Sequence, residues 1–255
     1  MKAVFICMIF SWVFPVCQSR AQTRWYLEAL GGANSSLSKI GSQGSRPGLH
    51  KYNLNGPFYG LLAGYRIGTY LYLESGILKP VCGVSFKLKD PAGNGTYKRT
   101  YEISTFLAPL LVRKNFSVRK QKFFIRLGGA FNFLDPDTFP DEITSWPAPH
   151  IETAYRQYTG SDIYVCLIAG AGYTRWINTR RIKRVAEVNM SIMYAEGLTK
   201  MMGQWVDYSF DGETRYTHHI YSNGSFLSVQ LGLRLYTAYF KKAAKFPRPA
   251  RREIN

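Results

Sequence analysis

Eight times along this chain of 255 residues, a stretch of about ten residues alternates apolar side chains with small, polar or charged ones. Successive side chains of a strand point to opposite faces, so each stretch reads as a strand with one greasy side. The segments are Arg24–Ala33, Phe58–Ile67, Tyr70–Lys79, Thr100–Arg113, Lys122–Leu134, Ser161–Arg175, Arg184–Leu198 and Ser225–Thr237. Lys122–Leu134 is the cleanest, with Phe123, Ile125, Leu127, Phe131 and Phe133 against Arg126, Gly128, Ala130 and Asn132. Thr100–Arg113 is the least regular. Pro109 lacks a ladder donor there, so a bulge or a local pairing defect is expected.

The connections alternate in length. Gly68-Thr69, Lys114–Gln121 and Ile177–Lys183 are short, whereas Asn34–Pro57, Phe86–Arg99, Asp135–Gly160 and Thr199–Gly224 are long. Long loops gathered at one end are the pattern of an outer-membrane barrel. The expected fold is all-β, an eight-stranded antiparallel up-and-down transmembrane β-barrel with long external loops and short periplasmic turns. Trp205–Phe210 and Thr214–Tyr221 flank the turn signal Asp211-Gly212 and read as an external hairpin; counting both arms as spanning strands would make ten. Aromatic residues gather near the segment ends: Trp25, Tyr26, Tyr65, Tyr173, Trp176, Tyr236 and Tyr239 on the short-turn side, and Tyr59, Phe131, Phe133 and Tyr194 opposite. Two headgroup-level girdles are the membrane reading. A soluble lipocalin-like barrel is the competitor, with the alternation inverted. Glycine and ionised groups of both signs in the non-aliphatic set favour the membrane.

Composition fits a folded chain. It is 46% hydrophobic and 15% aromatic, enough apolar surface to exclude a disordered tail. Beyond residue 16 no apolar run is long enough for a helix to span a bilayer. Lys2, the apolar run Ala3–Val16 and small residues at Ser19 and Ala21 describe a signal peptide over residues 1–21, cut before Gln22. Residues 22–240 are then the barrel and 241–255 a basic flexible periplasmic tail. Removing the leader takes away Lys2, Arg20 and no acid, so the formal charge falls from +17 to +15. Cys82 and Cys166 remain, too few for a disulfide framework; one bridge or two isolated thiols are the alternatives.

On this phase the inward set carries Glu28, Glu74 and Glu187 with Arg66, Arg126 and Arg234. Charges of opposite sign can compensate one another where a lone buried charge would be costly, and an eight-stranded interior is only wide enough for its own side chains. A salt-bridged plug is expected, against a gated or proton-linked path. Fourteen cations collect at the short-turn end: Lys114, Arg119, Lys120, Lys122, Arg180, Arg181, Lys183 and Arg184 in the turns, and Lys241, Lys242, Lys245, Arg248, Arg251 and Arg252 in the tail, with Glu253 the one acid in those stretches. That face suits anionic headgroups, peptidoglycan or an acidic partner protein. Solvated turn charges without a partner are the alternative, and the secretion signal argues against nucleic acid.

Gln22 at the cut, Tyr72-Leu73-Glu74-Ser75-Gly76-Ile77-Leu78, Pro109-Leu110-Leu111-Val112-Arg113, Leu127-Gly128-Gly129-Ala130 and Leu231-Gly232-Leu233-Arg234-Leu235-Tyr236 together resemble the small outer-membrane β-barrel family of Bacteroidota, the PorT-like group. The resemblance implies an eight-stranded barrel inserted by the outer-membrane assembly machinery, with some members associated with type IX secretion. Two departures stand out: Leu107-Ala108 replaces the family's Glu-Ile pair, and Tyr239 and Phe240 precede a tail instead of ending the protein.

The expected role is therefore a non-enzymatic envelope scaffold or assembly component, localised to the outer membrane. Its expected partners are outer-membrane lipid and lipopolysaccharide, the assembly machinery, and periplasmic envelope or secretion proteins. Adhesion or ligand binding through the long loops is the runner-up. A lipid-A-modifying enzyme would need a nucleophile, a base and an acid close together; His218, His219 and Ser222 with Asp207 or Asp211 are the residues available. No CxxC, HExxH or other ligand spacing supports a metal, His50 and His150 are lone loop histidines, and no cofactor is expected.

Overall fold

The computed structural model describes residues 25–41, 48–90, 96–118, 121–134, 142–148, 151–159, 163–177, 186–210 and 214–236. The expected signal peptide and basic tail lie outside them. Thirteen strands are described: β1 (Trp25–Ile40), β2 (Leu49–Lys51), β3 (Leu54–Arg66), β4 (Leu71–Lys79), β5 (Val81–Lys89), β6 (Thr96–Val118), β7 (Gln121–Leu134), β8 (Glu142–Ala148), β9 (Ile151–Thr159), β10 (Ile163–Ile177), β11 (Ala186–Gly197), β12 (Met202–Phe210) and β13 (Thr214–Tyr236).

Eight of them pair in the order β1-β3-β4-β6-β7-β10-β11-β13, and β13 returns to β1 through Tyr26↔Tyr236 to Ile40↔Ile220. Every pairing is antiparallel, and the closed ring leaves no edge at its waist. Each of the eight alternating segments supplies one ring strand. The pairing is interrupted at Pro109 without a change of register: β4–β6 pairs run to Ser75↔Leu110 and resume at Leu78↔Leu107. Proline has no N–H to give, and the Ser75 hydroxyl instead donates to the Pro109 carbonyl at 2.8 Å.

The outer face of the ring is apolar. Leu61, Leu110, Leu127, Leu167, Met190, Ile192, Val229 and Leu231 stand 49–61% exposed. Trp25 packs on Tyr65 (ring centroids 4.7 Å apart), and Phe123 packs on Phe116 (6.1 Å) and Tyr173 (5.6 Å), a girdle on the short-turn side. Tyr59, Phe106, Phe131, Phe133 and Tyr194 form the opposite one. Tyr26, Trp176 and Tyr236 correct the expected girdle: they sit at inward positions, with Tyr26 against Tyr236 at 5.8 Å and Trp176 on Tyr236 at 5.3 Å. Their polar tips face a charged interior, and that decides their side.

The long connections are also corrected. They carry five strands, of which only β12 belongs to the expected hairpin. β12 pairs with the first part of β13, whose 23 residues run unbroken into the ring, and β9 and β8 extend that sheet outward. The hairpin expected around residues 205–221 is present, one arm being β12 and the other the outer part of β13. β5 leaves the wall altogether. It pairs with β6 from Val81↔Ser104 to Lys89↔Thr96 and is buried on both faces from Val81 to Phe86.

Candidate functional site

Buried charged side chains concentrate in the lumen among the described residues. Period two dictates its content: with Leu27, Leu73, Val112, Leu127, Val188 and Leu233 outside, their neighbours Glu28, Glu74, Arg113, Arg126, Glu187 and Arg234 must turn inward. Cross-strand register then sets the pairs. Glu28 and Glu187 both stand opposite Arg234, on its two sides, whereas Arg113 stands opposite Arg126. Two like charges directly opposed repel, so their compensation has to come from across the ring.

It does. Arg126 Nη2 reaches Glu28 Oε1 at 2.6 Å, and Arg126 Nε reaches Glu74 Oε2 at 2.7 Å. Arg113 Nη1 lies 3.5 Å from Glu28 and 3.6 Å from Glu74. Arg234 Nη2 is 2.5 Å from Glu28 Oε2, and its Nη1 is 3.2 Å from Glu187 Oε2. Glu28 thus meets all three guanidiniums. Neighbouring side chains take further donors: Arg113 gives to Thr174 Oγ1 (3.1 Å) and Asn115 Oδ1 (2.8 Å), and Thr174 gives to Asn189 Oδ1 (2.7 Å). Tyr26 donates to Glu74, and Tyr236 donates to Glu187 at 2.7 Å.

Aromatic rings floor the guanidiniums. Arg113 lies 3.5 Å from the Phe124 centroid and Arg234 lies 4.0 Å from that of Tyr26. Glycine makes the room: a Cβ at Gly64 would sit 2.1 Å from Tyr26, and one at Gly172 would sit 2.5 Å from Phe124. Both are cross-strand partners of the ring they admit. The six charged side chains are only 0–4% exposed, and a channel wide enough for water would leave them accessible.

Arg66 is the correction here. It has the inward parity but ends β3, and its Nε and Nη2 bond the Gly68 and Thr69 carbonyls at 2.9 and 3.0 Å, satisfying turn acceptors instead of joining the network. Arg113 takes that place, and sequence reasoning missed it because Leu110, Leu111 and Val112 hide the phase. The signal was the pair Arg113 and Asn115, two polar residues on one parity. Of the expected basic face only Lys114 and Lys122 are described; Lys114 is exposed, and Lys122 Nζ lies 3.7 Å from Glu187 Oε1 and 4.6 Å from the Trp176 ring centre. The other twelve cations lie outside the described residues.

Above the charges the filling turns apolar. Phe58, Leu62, Leu78, Leu107, Leu111, Tyr164, Ile168 and Phe226 join β5 in one buried cluster with Cys82 and Cys166, whose thiols are unpaired. One edge of β5 takes β6; the other takes β2 over Phe86–Leu88 and is held by side chains over Val81–Ser85. Asn34 accepts from Val81 N (3.0 Å) and donates to Val81 O (2.7 Å), Ser36 exchanges bonds with Gly83, and Ser38 accepts from Ser85 N at 3.3 Å. Alternate residues of β1 thus stand in for a strand along the part of that edge that β2 does not reach.

The catalytic residues weighed in the sequence are not brought together. His218 is buried on the inner face while His219 and Asp207 point outward, and Ser222 Oγ accepts from Gly224 N at 3.1 Å. His50 is exposed on β2; His150 and Asp211 lie outside the described residues. Among those residues no cluster of His, Cys, Asp or Glu could hold a metal.

No family model matches this chain, and no curated protein matches it in sequence. Solved structures with a similar trace include the outer membrane protein OprG from Pseudomonas aeruginosa (TM-score 0.44, 11% identity, 84% of this chain and 98% of that one). Neisserial surface protein A gives 0.36 and 12% over 85% and 99%, and the outer membrane protein AlkL, solved by solid-state NMR in DMPC bilayers, gives 0.42 and 10% over 88% and 94%.

Proposed function

We propose that the chain is a non-enzymatic, non-conducting outer-membrane barrel, an envelope scaffold whose eight ring strands cross the bilayer. One observation carries the reading: the outer face of the ring is leucine-rich and exposed while three arginines and three glutamates are shut inside it. In water that arrangement is inside out; in hydrocarbon it is the stable one. The two outward aromatic girdles support it by sitting where headgroups would begin. The filled lumen supports a scaffold over a pore.

On this reading the short turns face the periplasm, and Lys114, Lys122 and the remaining basic residues there meet anionic headgroups or an acidic envelope protein. The PorT-like resemblance adds insertion by the outer-membrane assembly machinery and association with a type IX-like secretion apparatus. A second reading, ligand binding on the outer side, is favoured by the long connections being built as a sheet.

The test is fractionation of the expressed full chain, then electrophoresis in SDS with and without boiling. A folded barrel enters the outer-membrane fraction and migrates faster before boiling. Planar bilayers containing it show no conductance steps. A water-soluble monomer without detergent would overturn the proposal, and regular conductance steps would overturn its sealed form.

A further inference from the structure

The outer end of β5 carries a row of basic residues that the fold leaves uncompensated. Cross-strand register puts His50 of β2 opposite Lys87, and Lys87 opposite Lys98 of β6, with Lys89 opposite Thr96 in the next row of the same face. His50, Lys89 and Lys98 are exposed and Lys87 is half-buried. Directly opposed residues have Cβ atoms about 5 Å apart, and like charges so placed destabilise a sheet. No acid relieves them. Among the described residues the lysines held in ion pairs are Lys39 and Lys122; Lys87, Lys89 and Lys98 meet no carboxylate. Glu102 shares the face but stands opposite Gly83, roughly 13 Å from Lys98 along the strand, and Asp90 is buried and engaged elsewhere. Lys98 lies over the Tyr52 ring at 5.4 Å, which shelters one ammonium of the three. Lysine on an edge strand keeps other strands away, but Lys87 has β2 on one side and β6 on the other, so edge protection does not account for it.

We infer that this face binds an acidic polysaccharide outside the cell, a linear sugar chain with repeated anionic groups; the membrane reading above supplies only the side on which the ligand is met. Charge spacing comes first. The ammonium groups stand on positions about 5 Å apart across the strands and about 7 Å apart along β5, so a single anion would meet two of them and a chain of anions all three.

The neighbours suit a sugar. Thr96 and Thr100 are exposed on the same face, and their hydroxyls can exchange hydrogen bonds with those of a sugar chain. Single-stranded nucleic acid wants rings on which to stack its bases, and the Tyr52 ring already carries Lys98. Height separates the ligand from the lipid. Lys98 stands roughly 25 Å along β6 from Phe106 of the outer girdle, well past a headgroup layer only about 5–8 Å deep.

The experiment uses the full chain purified in mild detergent and labelled for thermophoresis. The probe is polygalacturonate oligomer, with dextran of the same length as the neutral control. Wild type should bind the first and not the second, and salt raised to about 0.5 M should weaken binding because exposed charges are screened. Lys87→Glu and Lys98→Glu should each weaken it about tenfold, the loss of one charged contact. Either substitution sets opposite charges face to face in place of like ones, so the fold should hold, and the shift on boiling checks that it does. Binding by both variants within about twofold of wild type, equal binding of dextran, or tighter binding of single-stranded DNA of the same charge overturns the inference. A chain that binds as expected but stays soluble without detergent overturns the membrane reading and leaves the binding face standing; one that enters the membrane and binds no polygalacturonate does the reverse.

Discussion

The two halves of the lumen are filled by opposite physics. At the turn side three carboxylates and three guanidiniums interlock, each answering charges from two or three strands; at the far side β5 and the apolar residues packed on it fill the same bore by shape. A charge network is intolerant of losing one member, because the partner left behind is a buried charge. An apolar filling loses only contacts and volume. The comparison teaches that one closed ring can be sealed twice, once by complementarity of sign and once by packing, and that the two seals should fail differently.

Arg126→Ala should break the first seal hardest, taking from Glu74 its shortest ion pair and from Glu28 one of its two short ones. The expected loss is about 3–5 kcal/mol, read as a lower thermal midpoint in detergent, and Arg126→Met with Glu74→Gln should recover part of it. Next comes the outer face at mid-strand. Leu127→Arg should destabilise by about 2–4 kcal/mol in bilayers, whereas a water-exposed site would tolerate it; urea titration in vesicles measures the difference. Asn34→Ala probes the second seal by removing both side-chain bonds to Val81. It should cost about 1–3 kcal/mol and speed proteolysis between β5 and β6 without moving the turn-side network. Arg66→Ala sharpens the contrast. It holds only turn carbonyls, so its midpoint should move by no more than about 0.5 kcal/mol in the assay that detects Arg126.

Much of this was legible before any coordinates. Alternation located all eight ring strands, since a residue in the wall of a closed ring has only two places to point, outward or into the lumen, and it placed Glu28, Glu74, Glu187, Arg126 and Arg234 on one side. Strand ends were not legible. Arg66 and Arg113 carry the same charge on the same parity, and only the position of the turn separates them. Nor was β5 readable, because Val81–Phe86 is buried on both faces and such a strand has no alternation to show. The inward turn of Tyr26 and Tyr236 follows from their parity with Glu28 and Arg234; which carboxylates their hydroxyls reach, Glu74 and Glu187, was a fact of cross-strand register.

The side-chain rail of Asn34, Ser36 and Ser38 has a bearing on assembly order. It sits on β1, which is also the strand that zips to β13 to complete the circle. A guest seated against the inner wall cannot be threaded through a mouth already shut, so β5 must be in position before, or while, the first and last strands meet. Damage to the rail should therefore appear first as slow or stalled insertion, and only afterwards as weakness in the finished protein.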